Sequence, residues 1–214
     1  KSVSRGLGDV YKRQVPGRRR DVDVLLAWGR RPSALRVELL ARQWDLPVWH
    51  LEDGLLRSVA KGREHPPLAL LVDELGVHFD ATAPSRIEQL IAAPITVTEA
   101  NRARALQRLW CEQRLSKVNP PREAEAPQES YVLVVDQSAG DRSIALGLAD
   151  ASCFQRMLKV ALQDHPDCTV VVKVHPDVIS GRSRGHFTAE DLAHPRVRLS
   201  ADGGHPARLL ERAR

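Results

Sequence analysis

Two polar groups, each at the end of an apolar run, hold the residues best suited to chemistry. Asp136, Gln137, Asp141 and Ser143 follow Tyr131-Val-Leu-Val-Val135, and Lys173, His175 and Asp177 follow Thr169-Val-Val-Val172. Carboxylates set against a Lys/His pair suit a reaction in which a phosphate leaves and a carboxylate attacks, as at a sugar–nucleotide bond. In an open α/β sheet, ligands bind just outside the carboxyl ends of the strands. The two runs are therefore expected to be buried strands whose C-terminal ends deliver these groups.

Each residue has a plainer reading beside the chemical one. Five histidines (His65, His165, His175, His194 and His205) precede a proline, so the dipeptide alone distinguishes nothing. Only His175 follows a β-branched apolar run with a lysine two residues before it. A pre-proline residue favours extended backbone, which fixes the ring at the strand end either as a phosphate ligand or as a structural, hydrogen-bonded histidine. Lys173 is either a second phosphate ligand or a solvent-facing strand residue. Asp141 follows Gly140, which permits a tight turn, and the plain reading makes it a turn or helix-cap aspartate.

A second acidic group, Glu52 and Asp53, closes another short apolar run. One of them, Glu52 in preference, is a candidate general base for an incoming hydroxyl. Arg57 on the same loop either pairs bidentately with a substrate carboxylate or forms an internal ion pair with Glu52 or Asp53. Asp73 and Asp80 end strands and read as structural. Asp136, Asp141 and His175 have no recognisable metal-ligand spacing, so a metal-independent reaction without a cofactor is expected. Positive potential at the leaving phosphate is expected from Lys173, His175 and the N-terminus of a helix near Ala151.

The elements that must position these groups follow a βα rhythm. Val22–Trp28 reads as a strand buried on both faces. Ser33 is expected to cap a helix over Ala34–Trp44 with Leu35, Leu39, Leu40 and Trp44 along one side. Pro47–Leu51 is the next strand, ending at a Glu52-Asp53-Gly54 loop. Leu68–Asp73 and Val77–Phe79 suggest a hairpin around Glu74-Leu-Gly76. Ser85 caps a helix to about Ala92, and Thr98 another to about Lys117.

Asn119–Ser130, with three prolines among charged and small residues, reads as an interdomain linker. A second rhythm starts at Tyr131, with a helix over Ala151–Gln163, a strand over Thr169–Val174 and another near Arg196–Ser200. The expected fold class is α/β, with two Rossmann-like halves around a cleft and the second half cut short. Residues 15–118 form the first domain, 119–130 the linker and 131–214 the start of the second.

Composition narrows the class. The 214 residues are 43% hydrophobic, enough for a core, and no apolar run approaches the roughly 20 residues of a membrane-spanning helix. Cys111, Cys153 and Cys168 have neither disulfide-framework nor zinc spacing and read as reduced thiols of a cytoplasmic protein. Residues 1–14 read as translated adapter sequence outside the protein proper, with no signal-peptide character. Their Lys1, Arg5, Lys12 and Arg13 against Asp9 supply three of the five net positive charges, leaving about +2. With only three Phe and two Tyr, the chain offers nucleic acid neither a strong field nor a stacking platform. Arg18-Arg-Arg20 reads as a solvated flank, with weak docking on anionic lipid as the functional alternative.

Seven segments, in order, give the chain a likeness: Ala27-Trp-Gly-Arg-Arg-Pro-Ser33, Leu51-Glu-Asp-Gly-Leu-Leu-Arg-Ser58, Pro66-Pro-Leu-Ala-Leu-Leu-Val-Asp73, Phe79-Asp-Ala-Thr-Ala-Pro-Ser85, Leu115-Ser-Lys-Val-Asn119, Val134-Val-Asp-Gln-Ser-Ala-Gly-Asp-Arg-Ser-Ile144 and Lys173-Val-His-Pro-Asp-Val178. On these it resembles, from Val22 to Arg214, the bacterial capsule polysaccharide proteins of the KpsC/LpsZ type, retaining β-Kdo glycosyltransferases that use CMP-Kdo. The resemblance implies a GT-B-like pair of halves, an acceptor-side first domain and a CMP-sugar-binding second.

It further implies Asp141 as the nucleophile of a double displacement, with CMP engaged by the motif of Lys173, His175 and Pro176. Gln137, Ser143 and Arg57 are the other expected contacts of CMP-Kdo, and Glu52 or Asp53 is the expected base. The implied acceptor is a lipid-linked oligo-Kdo capsule linker at the inner membrane face. Other capsule assembly proteins would be partners there, and the enzyme would be cytoplasmic and peripheral. Because the family's pattern continues beyond Leu209-Leu-Glu-Arg-Ala-Arg214, the sequence is expected to be part of one catalytic module and inactive alone. Another CMP-sugar transferase, or a nucleotide-binding module without turnover, is the alternative.

Overall fold

The structure, a computed structural model, describes residues 22–60 and 64–214. The adapter-like segment and the Arg18–Arg20 cluster lie outside the described residues. The chain divides into two units, Lys1–Gln107 and Arg108–Arg214. No helix among the described residues is long and apolar enough to cross a membrane.

In the first unit, β1 (Leu25–Trp28) pairs in parallel with β2 (Val48–Asp53), and β2 pairs antiparallel with β3 (Leu70–Asp73). The helix α1 (Pro32–Trp44) follows β1. Its N-cap is Arg31, with Pro32 opening the helix, so Ser33 lies inside the first turn instead of capping it. Proline fits that opening because its fixed φ is helical and its missing N–H has no partner there anyway.

The expected leucine stripe is not the buried line of α1. Ala34 and Ala41 are buried with Ala27 of β1, whereas Leu35 and Leu39 stay 52% and 65% exposed. Two alanines seven residues apart share one side of a helix and let it lie close to the strand. Burial of β1 on both faces is also not observed. Leu26, Trp49 and Val72 line the opposite face of the sheet and remain exposed.

The expected hairpin is absent, because β3 takes β2 as its partner and Val77–Phe79 is not a strand. Asp73 is the reason. One carboxylate oxygen accepts from the backbone N–H of Leu75 and Gly76 at 2.9 and 3.0 Å, and the other from Arg86 at 2.8 Å. That turn carries the chain into α2 (Arg86–Ala92), which Ser85 caps as expected, in a capping box with Glu88. The next helix, α3 (Val97–Glu112), is capped by Thr96 with Glu99, not by Thr98, and stops short of Lys117.

The second unit holds a fully parallel sheet in the order β4 (Tyr131–Val135), β5 (Thr169–Lys173), β6 (Val197–Ser200). On one face, Val134, Val170 and Val172 pack with Leu158 and Ala161 of α5 (Ala151–Asp164). On the other, Tyr131 and Val171 pack with Ala124 and Leu209 of α8 (Ala207–Arg212), and the Tyr131 hydroxyl donates to the Leu209 carbonyl at 2.7 Å. The proline-rich segment expected as a linker lies within this unit. Ala124 is fully buried, and Glu123 bridges to His205. Three short helices, α4 (Arg142–Leu146), α6 (Pro176–Ile179) and α7 (Ala189–Leu192), lie in segments to which the sequence pattern assigns no helix.

Candidate active site

The two strand-end groups of the second unit meet through Ser138. Its carbonyl accepts the backbone N–H of Asp141 at 3.2 Å, and its hydroxyl lies 3.1 Å from His175 Nδ1. Asp141 stands on the loop after β4 as the N-cap of α4, and its Oδ1 accepts the backbone N–H and the hydroxyl of Ser143. Gly140 takes φ +82° there, with open space around it, as the tight turn requires. Asp141 is exposed.

His175 is the N-cap of α6, and Pro176 supplies that helix's first residue. Its Nδ1 accepts the backbone N–H of Asp177 at 3.1 Å. A ring nitrogen that accepts carries no proton, so the neutral imidazole bears its hydrogen on Nε2. Two other His-Pro pairs make the same turn. Nδ1 of His194 and of His205 each accept the N–H two residues on, at 3.2 Å.

Lys173 ends β5, and its Nζ donates toward the Gly204 carbonyl at 3.4 Å. Burial lowers its pKa, with the charge of Asp202 opposing that shift. Lys173 is therefore drawn toward the loop after β6, whereas His175 is drawn toward Ser138. Gln137 is exposed and donates its backbone N–H to Asp136 at 2.8 Å. At the helix N-terminus near Ala151, Asp150 Oδ1 accepts the backbone N–H groups of Ser152 and Cys153, so a carboxylate already faces the positive potential expected there.

In the first unit, β2 runs further than expected, so Glu52 and Asp53 are its last residues and not a loop. Successive strand side chains point to opposite faces, which separates the two carboxylates. Oε1 of Glu52 occupies the space that a Cβ on Gly29 would fill, on the face shared with His50. The Nδ1–H of His50 donates to the Gly29 carbonyl at 3.1 Å, fixing that crossing at the end of β1. Glu52 also lines a cavity of about 130 Å³ with His50, Leu71, Gly76, His78 and Leu90. That volume is below what a nucleotide-sized ligand fills, roughly 300 Å³ or more.

Asp53 pairs with Arg57 at 3.0 Å. The same guanidinium donates to the Ser58 hydroxyl at 2.7 Å and to the carbonyls of Ala60 and His65 at 3.4 and 3.1 Å. Arg57 thus braces its own loop, as the internal-pair reading had it. Asp73 and Asp80 are structural: Asp73 closes the turn after β3, and Asp80 binds Arg30 at 2.7 Å.

Sequence reasoning passed over Ser138, Ser183 and His186. The Ser183 hydroxyl donates to that of Ser138 at 3.0 Å, and Nδ1 of His186 donates to the buried carboxylate of Asp136 at 3.1 Å. Both Ser183 and His186 sit in an aperiodic polar stretch that gives no pattern to read.

The sequence and the fold both have relatives. A family described as capsule polysaccharide biosynthesis protein matches residues 23–115 and 96–214. The capsule polysaccharide modification protein LipA of Neisseria meningitidis serogroup B is 36% identical over 204 residues, covering 90% of this chain and 29% of LipA. The lipopolysaccharide-processing protein LpsZ of Rhizobium meliloti is 35% identical over 168 residues, covering 74% of this chain and 38% of LpsZ. The chain thus spans well under half the length of either curated relative. Among solved structures, the beta Kdo 2,4 transferase of Thermosulfurimonas dismutans KpsC superposes with a TM-score of 0.80 at 36% identity, over 89% of this chain and 61% of the other. The beta Kdo 2,7 transferase of the same protein gives 0.53 at 27% identity, over 79% and 50%.

Proposed function

The chain belongs to the capsule polysaccharide biosynthesis protein family, and on that premise we propose that it carries part of a retaining β-Kdo glycosyltransferase. The donor is CMP-Kdo, and the acceptor is a lipid-linked oligo-Kdo linker at the cytoplasmic face of the inner membrane. Other capsule assembly proteins act beside it. Likeness to a Kdo 2,4 transferase supports the sugar. The observation that carries the chemistry is the shared use of Ser138, which ties the Asp141 backbone and the His175 ring into one strand-end group.

In this reading the free electron pair of the Asp141 carboxylate attacks the anomeric carbon. The bond to the phosphate oxygen breaks, and CMP leaves with that electron pair toward the Nε2–H of His175. Lys173, Pro176, Gln137 and Ser143 complete the donor-side loops. The acceptor hydroxyl then attacks the same carbon, its proton passes to Glu52, and the ester to Asp141 is released. Two inversions give net retention. Glu52 is the proposed base, and Asp53 pairs with Arg57. The fold is of the GT-B-like kind, and the protein works as a cytoplasmic, peripheral enzyme.

A module that binds CMP without turnover is the competing reading, and one observation favours it: Asp141 already has a structural task as the cap of α4. Intact-protein mass spectrometry separates the two. Full-length protein incubated with CMP-Kdo and no acceptor is expected to gain the mass of one Kdo, and the Asp141→Asn variant is not. CMP release from the wild type with no adduct, or an adduct persisting in the variant, would remove Asp141 from the role of nucleophile.

A further inference from the structure

We propose that Ser138 and Ser183 are positioning residues that hold the His175 imidazole, and that the buried Asp136–His186 pair is the anchor that brings Ser183 to them. The inference rests on the reading that His175 meets the leaving phosphate. The relay has a single direction. Nδ1 of His175 accepts from the Asp177 backbone and faces the Ser138 hydroxyl, which in turn accepts from the Ser183 hydroxyl. Each donor points toward the ring, so the ring keeps Nδ1 as acceptor and Nε2 as donor.

Ser183 reaches this position because its segment is tied down at several points. The Ser183 N–H donates to the Asp177 carbonyl at 3.0 Å, and the Ala139 N–H to the Arg184 carbonyl at 2.7 Å. Asp136 Oδ1 accepts both the backbone N–H and the Nδ1–H of His186, each at 3.1 Å. The side chains of His186 and Asp136 are 6% and 3% exposed. The His186 ring lies flat on Phe154, centroids 3.9 Å apart and planes 6° apart, while Gln155 donates to the His186 carbonyl at 2.6 Å. A Cβ at Gly185 would overlap Asp136 Oδ2, so a side chain there would have to displace the carboxylate.

An apolar pair could fill the same volume as Asp136 and His186, often at no loss of stability. What the polar pair adds is direction, since a hydrogen-bonded network inside a low-dielectric core fixes angles as well as distances. Here the fixed object is the segment carrying Ser183.

The test combines nitrogen-15 imidazole spectra with CMP titration of the 214-residue chain. His175 is expected as the Nε2–H tautomer, with its Nε2 signal moving on CMP addition. Ser183→Ala is expected to weaken CMP binding about fivefold, the loss of roughly one hydrogen bond, and to mix the His175 tautomers. Ser183→Thr restores both, and His186→Phe reproduces the Ser183→Ala spectrum. If His175→Ala abolishes CMP binding while Ser138→Ala and Ser183→Ala leave affinity and spectrum unchanged, the relay is wrong and the donor site stands. An Nδ1–H tautomer in the wild type overturns the relay whatever the affinity. CMP binding unaffected by His175→Ala overturns the donor-site reading and the positioning role with it.

Discussion

Oδ1 of Asp141 accepts two hydrogen bonds from one residue, the backbone N–H of Ser143 at 2.9 Å and its hydroxyl at 2.8 Å. The cap and the proposed nucleophile are therefore the same carboxylate, and substitutions can separate the roles. Asparagine caps a helix about as well as aspartate, whereas alanine costs about 0.5–2 kcal/mol. Asp141→Asn is expected to keep the wild-type unfolding midpoint while full-length transferase activity falls by roughly a thousandfold or more. An active Asp141→Asn enzyme would leave the residue as a cap alone.

Arg57 makes a separable case. Its guanidinium ties Asp53, at the end of β2, to Ser58, Ala60 and His65 in the chain that follows. Arg57→Ala is expected to lower stability by about 1–3 kcal/mol, since part-buried acceptors lose a charged donor. CMP affinity of the chain should stay within twofold, about the precision of a titration. A selective loss of donor affinity with unchanged stability would return Arg57 to the substrate.

Acid should weaken the first unit through Asp73. Burial raises its pKa, but hydrogen bonds from Gly76, Leu75 and Arg86 outweigh burial and lower it overall. The stabilisation is present above the unfolded value of about 3.9 and is lost as pH falls through the lower native value. Asp73→Asn should cost about 1–3 kcal/mol at pH 7. Urea unfolding of both proteins should show the gap closing once the wild-type carboxyl protonates.

Lys173 should behave in the opposite way on the alkaline side. Burial depresses its pKa despite Asp202, so native protein releases this proton before unfolded protein does. Stability from this group rises with pH between the depressed value and about 10.4, the unfolded one. Lys173→Met should remove that slope and be as stable as wild type, or more so, at pH 7. A fall in CMP affinity in the same variant would assign the amine to the phosphate.

Gly185→Ala tests the close approach to Asp136. The added methyl overlaps Oδ2, and the expected cost is about 1–3 kcal/mol, with the His186 ring displaced from Phe154. Thermal unfolding together with the His186 imidazole signal checks both effects.

How far the sequence could be read depended on the length of the pattern. The runs at Tyr131–Val135 and Thr169–Lys173 are strands, and the Ser85–Glu88 box caps its helix, because each signal is local and complete. Helices of four or five residues, such as those opened by Asp141, His175 and Thr188, are too short to show a 3.6-residue period. Glu52 and Asp53 read as loop because polar residues usually end a strand, but backbone pairing with Leu71 and Leu70 carries β2 through them. The first helix misled for another reason. Leucines mark an apolar side, but the close line of contact belongs to Ala34 and Ala41. Of the site, the loops of Asp141 and His175 were legible. Their link through Ser138 was not, since it joins residues far apart in the chain.

The repeated His-Pro turn has a practical consequence. His194 and His205 hold their Nδ1 in the same acceptor role as His175, yet neither contacts Ser138 among the described hydrogen bonds. They are built-in reference compounds: two imidazoles with the same local bond, in the same molecule and the same tube. Any response to ligand, salt or temperature that all three share belongs to the turn. A response confined to His175 belongs to its place in the molecule.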